Sequence, residues 1–158
     1  MRVLGLDPGS SATGYGLVLF EEGRLSLEGC GVWRPPAAVS FPERLVHIQE
    51  RLAALIAEHP PEAISIETVF AGKNIASTVK LAHARGVLLA AAARFAVPVF
   101  EYEPRLVKKA LVGYGHAEKP QVRAMVLSLL ARQRARVPLD AADALAVAIC
   151  HIHAAPRK

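Results

Sequence analysis

The stretch Arg2-Val3-Leu4-Gly5-Leu6-Asp7-Pro8-Gly9-Ser10 decides the fold, because it joins an apolar strand directly to a carboxylate. A short apolar run of this kind is typical of a strand buried on both faces of a sheet. An isolated buried charge is very costly, yet Asp7 stands at the end of the run, where Pro8-Gly9 breaks the strand. The carboxyl end of a central strand is where α/β sheets place their chemistry. Because Asp also caps turns, this residue alone leaves both interpretations open.

Length and composition predict a single domain over residues 1–158. Hydrophobic residues make up 53% of the chain, enough for a full core without disulfide staples. Cys30 and Cys150 lie in apolar segments and are expected to be reduced core residues, with a disulfide left open. The chain begins with a strand pattern rather than a signal peptide, and the apolar stretch 86–93 is too short to cross a bilayer. We therefore expect a soluble, cytoplasmic protein that does not contact a membrane.

The charged residues are distributed unevenly along the chain, whose formal net charge is +5. Residues 1–72 hold five Lys and Arg against nine Asp and Glu, whereas residues 73–136 hold twelve against three. A positive surplus of this concentration favours a surface that faces a polyanion such as nucleic acid. An ordinary solvated face is the alternative.

The hydrophobic pattern predicts a mixed sheet with the first strand at its centre and helices around it. Strands over 15–20 and 25–33, joined by a turn, extend the first strand into an antiparallel meander. A helix that begins at Pro42 precedes a strand over 63–67, and this crossover makes that strand parallel to its neighbour. The remaining predicted elements are a long helix over 75–95, a strand over 97–102 that Pro98 favours at an edge, and helices over 105–111, 120–135 and 140–153.

Four acidic residues stand in apolar surroundings, namely Asp7, Glu67, Asp140 and Asp143. Asp7 and Glu67 end strands that are predicted to be parallel neighbours, with backbones about 5 Å apart. Asp140 and Asp143 are three residues apart and share one face of a helix, although Asp140 alone is also explained as a helix N-cap. Gathered carboxylates repel one another unless cations neutralise them, and an all-oxygen set favours Mg²⁺ or Mn²⁺. A fifth acid in apolar company, Glu101, is expected at the surface of a strand end.

These residues lie within a pattern that resembles the RuvC family of Holliday-junction resolvases, which are nucleases of ribonuclease H-like fold. The matching stretches cover nearly the whole chain: Gly5-Leu6-Asp7-Pro8-Gly9, Ile66-Glu67-Thr68-Val69-Phe70, Lys73-Asn74, Ala84-Arg85-Gly86, Val99-Phe100-Glu101-Tyr102, Lys119-Pro120-Gln121-Val122 and Asp140-Ala141-Ala142-Asp143-Ala144-Leu145-Ala146. The resemblance implies an α/β, ribonuclease H-like mixed five-stranded sheet, an antiparallel meander plus parallel strands, flanked by helices. It also implies that the four acids bind two catalytic Mg²⁺ ions per subunit, for which Mn²⁺ is expected to substitute.

The same resemblance implies a metal-dependent endonuclease that acts in homologous recombination and DNA repair. It would be a homodimer that nicks two strands of four-way junction DNA symmetrically, leaves 5′-phosphate ends and works with a branch-migration motor. The long helix over 75–95 is the expected dimer contact, because its half from Val87 to Ala93 is apolar on nearly all sides. A buried core helix is the alternative.

Basic and aromatic residues complete the predicted site. Lys108 and Lys119 match lysines that the family uses near the scissile phosphate, where an ammonium group can neutralise charge and assist the transition state. Phe70 matches an aromatic residue that the family uses on unpaired bases, with a place in the core as the alternative. Further expected contacts to the DNA backbone are Lys73, Lys80, Arg85 and Arg123. His116 is expected at the surface, and no role is assigned to His151 and His153 near the carboxyl terminus.

Two other functions remain open from the sequence. The turn over residues 7–14 also resembles the first phosphate loop of actin-like sugar kinases. Those proteins clamp ATP between two such domains, whereas this chain supplies one. The second alternative is a module that binds four-way junctions but has no catalytic activity, and the presence of all four acids argues against it.

Overall fold

A five-stranded mixed sheet forms the centre of the molecule, of which the computed structural model describes residues 1–69, 74–131 and 136–155. Its strands are β1 (Arg2–Asp7), β2 (Thr13–Glu21), β3 (Arg24–Trp33), β4 (Ala63–Glu67) and β5 (Val99–Tyr102). They lie in the order β3-β2-β1-β4-β5. The β1–β2 and β2–β3 pairs are antiparallel, and the β1–β4 and β4–β5 pairs are parallel. The predicted fold class, the central first strand and the edge position of β5 are confirmed.

Five helices flank the sheet: α1 (Phe41–Glu58), α2 (Ile75–Arg94), α3 (Pro104–Val112), α4 (Lys119–Leu129) and α5 (Leu139–Ala154). Most bounds differ from the prediction by one or two residues, and two of the differences have a visible cause in the backbone. The β5 strand begins at Val99 because the Val97 amide still donates to the Ala92 carbonyl at the end of α2, 3.3 Å away. Helix α4 ends at Leu129 rather than near 135, and Ala131 adopts a left-handed φ of 51°, which is typical of a helix end.

The sheet is covered on both faces, which explains why β1 is apolar from Val3 to Leu6. Leu4 and Leu6 pack with α1 and α2 on one face, whereas Val3 packs with α3, α4 and α5 on the other. Because side chains alternate along a strand, Gly5 and Asp7 lie on the same face as Val3, toward α5. Both thiols are free, as expected, with Cys150 buried and Cys30 half-buried.

Helix α5 approaches the strands backbone to backbone. A side-chain carbon on Gly5 would overlap the carbonyl oxygen of Ala144, and one on Gly14 would overlap that of Asp140. Only glycine leaves room for so close an approach. Glycines in β1 and β2 therefore determine how deeply the start of α5 sits against the end of β1.

By length and composition alone, the whole of helix α2 is apolar enough to span a membrane. The stretch 86–93, which the sequence prediction considered, is only part of this helix and is too short to do so. One such helix is weak evidence, because core helices of globular proteins pass the same test. Here Ala84, Leu88, Ala91 and Ala92 are buried against the sheet and α1. One face of α2 thus packs within the domain, and the opposite face is exposed to solvent.

Candidate active site

The ends of β1 and β4 and the first turns of α5 direct acidic side chains into one pocket. Leu6 pairs with Ile66 in the parallel register, so Asp7 and Glu67, each one residue later, end neighbouring strands side by side. Asp143 enters the same pocket from α5. The cavity measures about 190 Å³, and two lysines complete its polar wall, Lys108 from α3 and Lys119 from α4. The structure thus brings three of the four predicted acids together.

Asp140 lies next to this cavity rather than in its wall. It belongs to the first turn of α5, whose N-cap is Pro138, so the alternative interpretation of Asp140 as an N-cap is wrong. Its Oδ2 lies 3.5 Å from Nη2 of Arg34, on the segment that leaves β3. The sequence analysis missed Arg34. No local signal marks Arg34, because its place follows from strand pairing: Trp33 pairs with Thr13, and Arg34 leaves β3 at the end of the sheet where Asp7 ends β1.

The acids raise one another's proton affinity. Burial, followed by the charges of Asp143 and Glu67, raises the pKa of Asp7 from 3.8 to about 7. Burial, followed by the Asp143 charge, also raises the pKa of the Glu67 carboxyl. All three aspartates of the chain lie in this one region. The pocket therefore holds more negative charge than its own lysines compensate.

Lys119 is the closest positive charge to the acids. Its Nζ lies 2.5 Å from Oδ2 of Asp143, and this hydrogen bond raises the pKa of the lysine. The sequence placed Lys119 in a loop, but it is the first residue of α4. The Glu118 amide donates to Oε1 of Gln121 at 2.8 Å, which secures that helix start. Lys119 and Lys108 both act to lower the pKa of Glu67.

The donor set fits a hard divalent cation. Within the described ranges, no three His, Cys, Asp or Glu side chains stand close enough to hold a metal ion as they are. Asp143 is instead hydrogen-bonded to Lys119. All the donors are nonetheless carboxylate oxygens, which suit Mg²⁺ or Mn²⁺, and a bound cation would reverse the raised pKa of Asp7.

The residues predicted to contact the DNA backbone differ from one another in their exposure. Phe70 and Lys73 lie outside the described residues, Lys80 is exposed on α2, and Arg123 is half-buried on α4. Only 17% of the Arg85 side chain is exposed, and its guanidinium is hydrogen-bonded to the Glu67 carbonyl and ion-paired with Glu101, so its contact with DNA stays a prediction. Glu101 lies at the surface, as expected.

The histidines near the carboxyl terminus also differ from one another. His151 is buried within α5, where its Nδ1 lies 2.7 Å from the hydroxyl of Tyr102. Its ring packs against Phe100 with centroids 4.3 Å apart, and burial lowers its pKa. It therefore joins α5 to β5, a role that the prediction of a frayed terminus did not include. His116 and His153 are exposed.

The comparisons with known proteins agree with one another. A family model described as "Crossover junction endodeoxyribonuclease RuvC" matches residues 3–151. A protein of that name from Sphingopyxis alaskensis is 52% identical over 151 residues, covering 96% of this chain and 96% of the relative. One from Syntrophomonas wolfei is 48% identical over 153 residues, covering 97% of this chain and 89% of the relative.

Solved structures show the same similarity. The structure of Thermus thermophilus RuvC superposes with a TM-score of 0.89 at 35% identity, over 97% of this chain and 94% of that one. The structure of T. thermophilus RuvC in complex with Holliday junction substrate gives a TM-score of 0.91 at 34% identity, over 98% and 94%. The yeast mitochondrial Holliday junction resolvase shares the fold, with a TM-score of 0.64 at 13% identity, over 96% and 79%.

Proposed function

Because this chain belongs to the RuvC family of crossover junction endodeoxyribonucleases, it resolves Holliday junctions, and we propose that its acidic pocket performs the cleavage with divalent metal ions. The supporting observation is the meeting of Asp7, Glu67 and Asp143 in one cavity beside two lysines. Membership of this family argues against the alternative function as a sugar kinase. The reaction belongs to homologous recombination and DNA repair.

Each acid has a distinct place in the proposed metal site. Asp7 is close enough to Asp143, Glu67 and Asp140 for their charges to raise its pKa, so it would hold metal at the centre of the set. Glu67 and Asp140 would complete one or both sites, and Asp143 would hold the second. Two Mg²⁺ ions, or Mn²⁺ in their place, supply an activated water and stabilise the leaving oxygen in phosphodiester hydrolysis, which would leave 5′-phosphate ends.

The two lysines are suited to receive the phosphate. Lys119 is hydrogen-bonded to Asp143, so a cation held by that carboxylate would compete with its ammonium group. Lys119 lines the cavity, and an ammonium group freed from Asp143 could neutralise the scissile phosphate. Lys108 lines the same cavity from α3. We propose that this exchange of partners couples filling of the acidic site to capture of the DNA backbone.

Cleavage of a mobile synthetic four-way junction tests the proposal. In Mg²⁺ we expect paired nicks at symmetric positions on two opposing strands, with 5′-phosphate and 3′-hydroxyl ends, mapped on labelled strands. In Ca²⁺ we expect binding without turnover, because its looser coordination suits catalysis poorly. Binding without nicks in both Mg²⁺ and Mn²⁺ would instead support a binding module without chemistry.

The exposed face of α2 suggests how two active sites are paired. This α2 surface is lined by Val79, Ala82, His83, Gly86, Val87 and Ala90. Close to it, Ile75 is 77% exposed, unusually high for so apolar a side chain. A four-way junction has approximate two-fold symmetry, so a C₂ dimer would present one site to each of two strands. We propose that a second copy of this chain covers the α2 surface.

Substitution of Gly86 by Glu is expected to convert the dimer into monomers. A side chain at this position meets no atom of its own chain within 4 Å, so the monomer should tolerate it, whereas a partner would bury the new charge. Analytical ultracentrifugation measures the state of assembly, and the junction assay should then give single nicks in place of paired ones. Ala57→Glu, at an exposed position of α1, is the matched control and should remain dimeric. An unchanged dimer in Gly86→Glu would contradict the interface.

We also propose that the protein acts in the cytoplasm beside a branch-migration motor. The support is the family resemblance, together with the basic segment over residues 73–136 that favours DNA. Co-sedimentation on a junction with a purified branch-migration motor from a related bacterium tests the association.

A further inference from the structure

Arg85 lies behind the acidic pocket, on the opposite face of the sheet from α5. It follows the fully buried Ala84 in the middle of α2. Its Nε donates to the backbone carbonyl of Glu67 at 3.2 Å, and its Nη2 forms an ion pair with the Glu101 carboxylate. One side chain therefore connects α2 with the last residue of β4 and with β5.

The end of β4 needs such a connection because the strand ladder stops there. Glu67 pairs with Tyr102, the last residue of β5, and the Thr68 amide donates to the Tyr102 carbonyl at 2.9 Å. On the other face, the Glu67 side chain points into a cavity that it shares with Asp7 and Asp143. Repulsion between these acids acts on the same strand end that Arg85 holds.

We infer that Arg85 is a positioning residue for the Glu67 carboxylate and is itself oriented by Glu101, an inference that rests on the proposed metal site. A guanidinium suits this role because its Nε–H can donate to a carbonyl while its delocalised charge is paired with a carboxylate at Nη2, whereas an ammonium group is a single point charge. Glu101 is 49% exposed and neutralises the guanidinium from the edge strand. The Arg85–Glu101 pair therefore adds no net charge behind the acidic pocket.

A direct contact to DNA is the alternative role, and it predicts a different loss. A residue that binds phosphate lowers junction affinity, whereas a residue that positions Glu67 lowers metal affinity and the rate on bound DNA. The test uses the whole chain with Arg85→Gln, Arg85→Lys, Glu101→Gln and the double variant Arg85→Gln/Glu101→Gln. Arg51→Gln, at an exposed position of α1, removes the same charge elsewhere and is the matched control.

Three measurements separate the possibilities: Mn²⁺ binding without DNA by electron paramagnetic resonance, junction affinity in Ca²⁺, and the single-turnover cleavage rate at saturating protein. For Arg85→Gln we expect Mn²⁺ affinity and cleavage rate each to fall about tenfold, with junction affinity changed by less than about twofold. Arg85→Lys should recover part of both losses. Glu101→Gln should lose less, and the double variant should equal Arg85→Gln because Glu101 acts only through Arg85.

Several outcomes would overturn the inference. Junction affinity that falls in Arg85→Gln while the saturated rate is retained would make Arg85 a DNA contact. Losses that follow only a lower Tm, with no recovery in Arg85→Lys, would make its role merely structural. Wild-type protein that binds Mn²⁺ no better than Asp7→Asn would overturn the metal site together with this inference. Tight wild-type binding that is unchanged in Arg85→Gln would overturn this inference alone.

Discussion

The Asp7→Asn variant is expected to lose junction cleavage, with a rate about a thousandfold lower, while it keeps most of its junction affinity. Asp7 ends the central strand, and the charges of Glu67, Asp140 and Asp143 all act on it, so its loss would remove the central ligand of the proposed metal site. Affinity should be retained because the carboxylate that is removed repels the DNA phosphates. Single-turnover cleavage in Mg²⁺ and junction binding in Ca²⁺ measure the two effects separately.

The same substitution should stabilise the metal-free protein in a pH-dependent manner. The pKa of Asp7 is about 7 in the folded chain against an ordinary value of 3.8, so between these values the folded state holds a proton that the unfolded state releases. Stability from this group is therefore greatest below pH 4 and declines as the pH rises toward 7. Asn removes that loss, which corresponds to roughly 4 kcal/mol at pH 8. In EDTA, the Tm of the variant should exceed that of wild type by roughly 8–16 °C at pH 8 and converge with it near pH 4.

Glu50→Gln, an exposed acid on α1, is the matched control and should alter neither cleavage nor the pH dependence of Tm. Equal losses of binding and cleavage in Asp7→Asn would contradict its proposed role. A Tm difference that does not vary with pH would contradict the raised pKa of Asp7.

Gly5→Ala is expected to produce the largest loss of stability, about 3 kcal/mol or more, together with loss of cleavage. The added methyl group would overlap the Ala144 carbonyl oxygen and crowd the Ala148 amide, and neither backbone atom can rotate away. Helix α5 must move outward, and it carries Asp140 and Asp143. A displacement of about 1 Å at a reacting centre can cost on the order of a hundredfold in rate.

Denaturant unfolding measures the stability, and cleavage is assayed at a temperature where the variant remains folded. Gly29→Ala is the matched control, because a methyl group there meets no atom within 4 Å. It should change stability by less than about 0.5 kcal/mol. A Gly5→Ala protein as stable and active as wild type would show that α5 does not depend on this close approach.

The sequence by itself determined the strand framework and three members of the acidic pocket. An apolar run with Asp7 at its end predicts a central strand, and the crossover before β4 predicts that Glu67 ends the parallel neighbour. The spacing of Asp140 and Asp143 places both at the start of α5. These features could be predicted because each follows from local periodicity or from a topological rule that needs no distant partner.

Only the tertiary structure decided which charges meet. The hydrogen bond of Lys119 to Asp143, the position of Arg34 beside Asp140, and the contact of Arg85 with the Glu67 carbonyl all join residues from different elements. Each depends on how closely a helix packs against the sheet, which the glycines of β1 and β2 set for α5. A basic residue in the sequence can face a phosphate or a neighbouring carboxylate with equal local propensity. Which partner such a residue contacts depends on how elements far apart in the chain pack together, so no local sequence pattern predicts that partner.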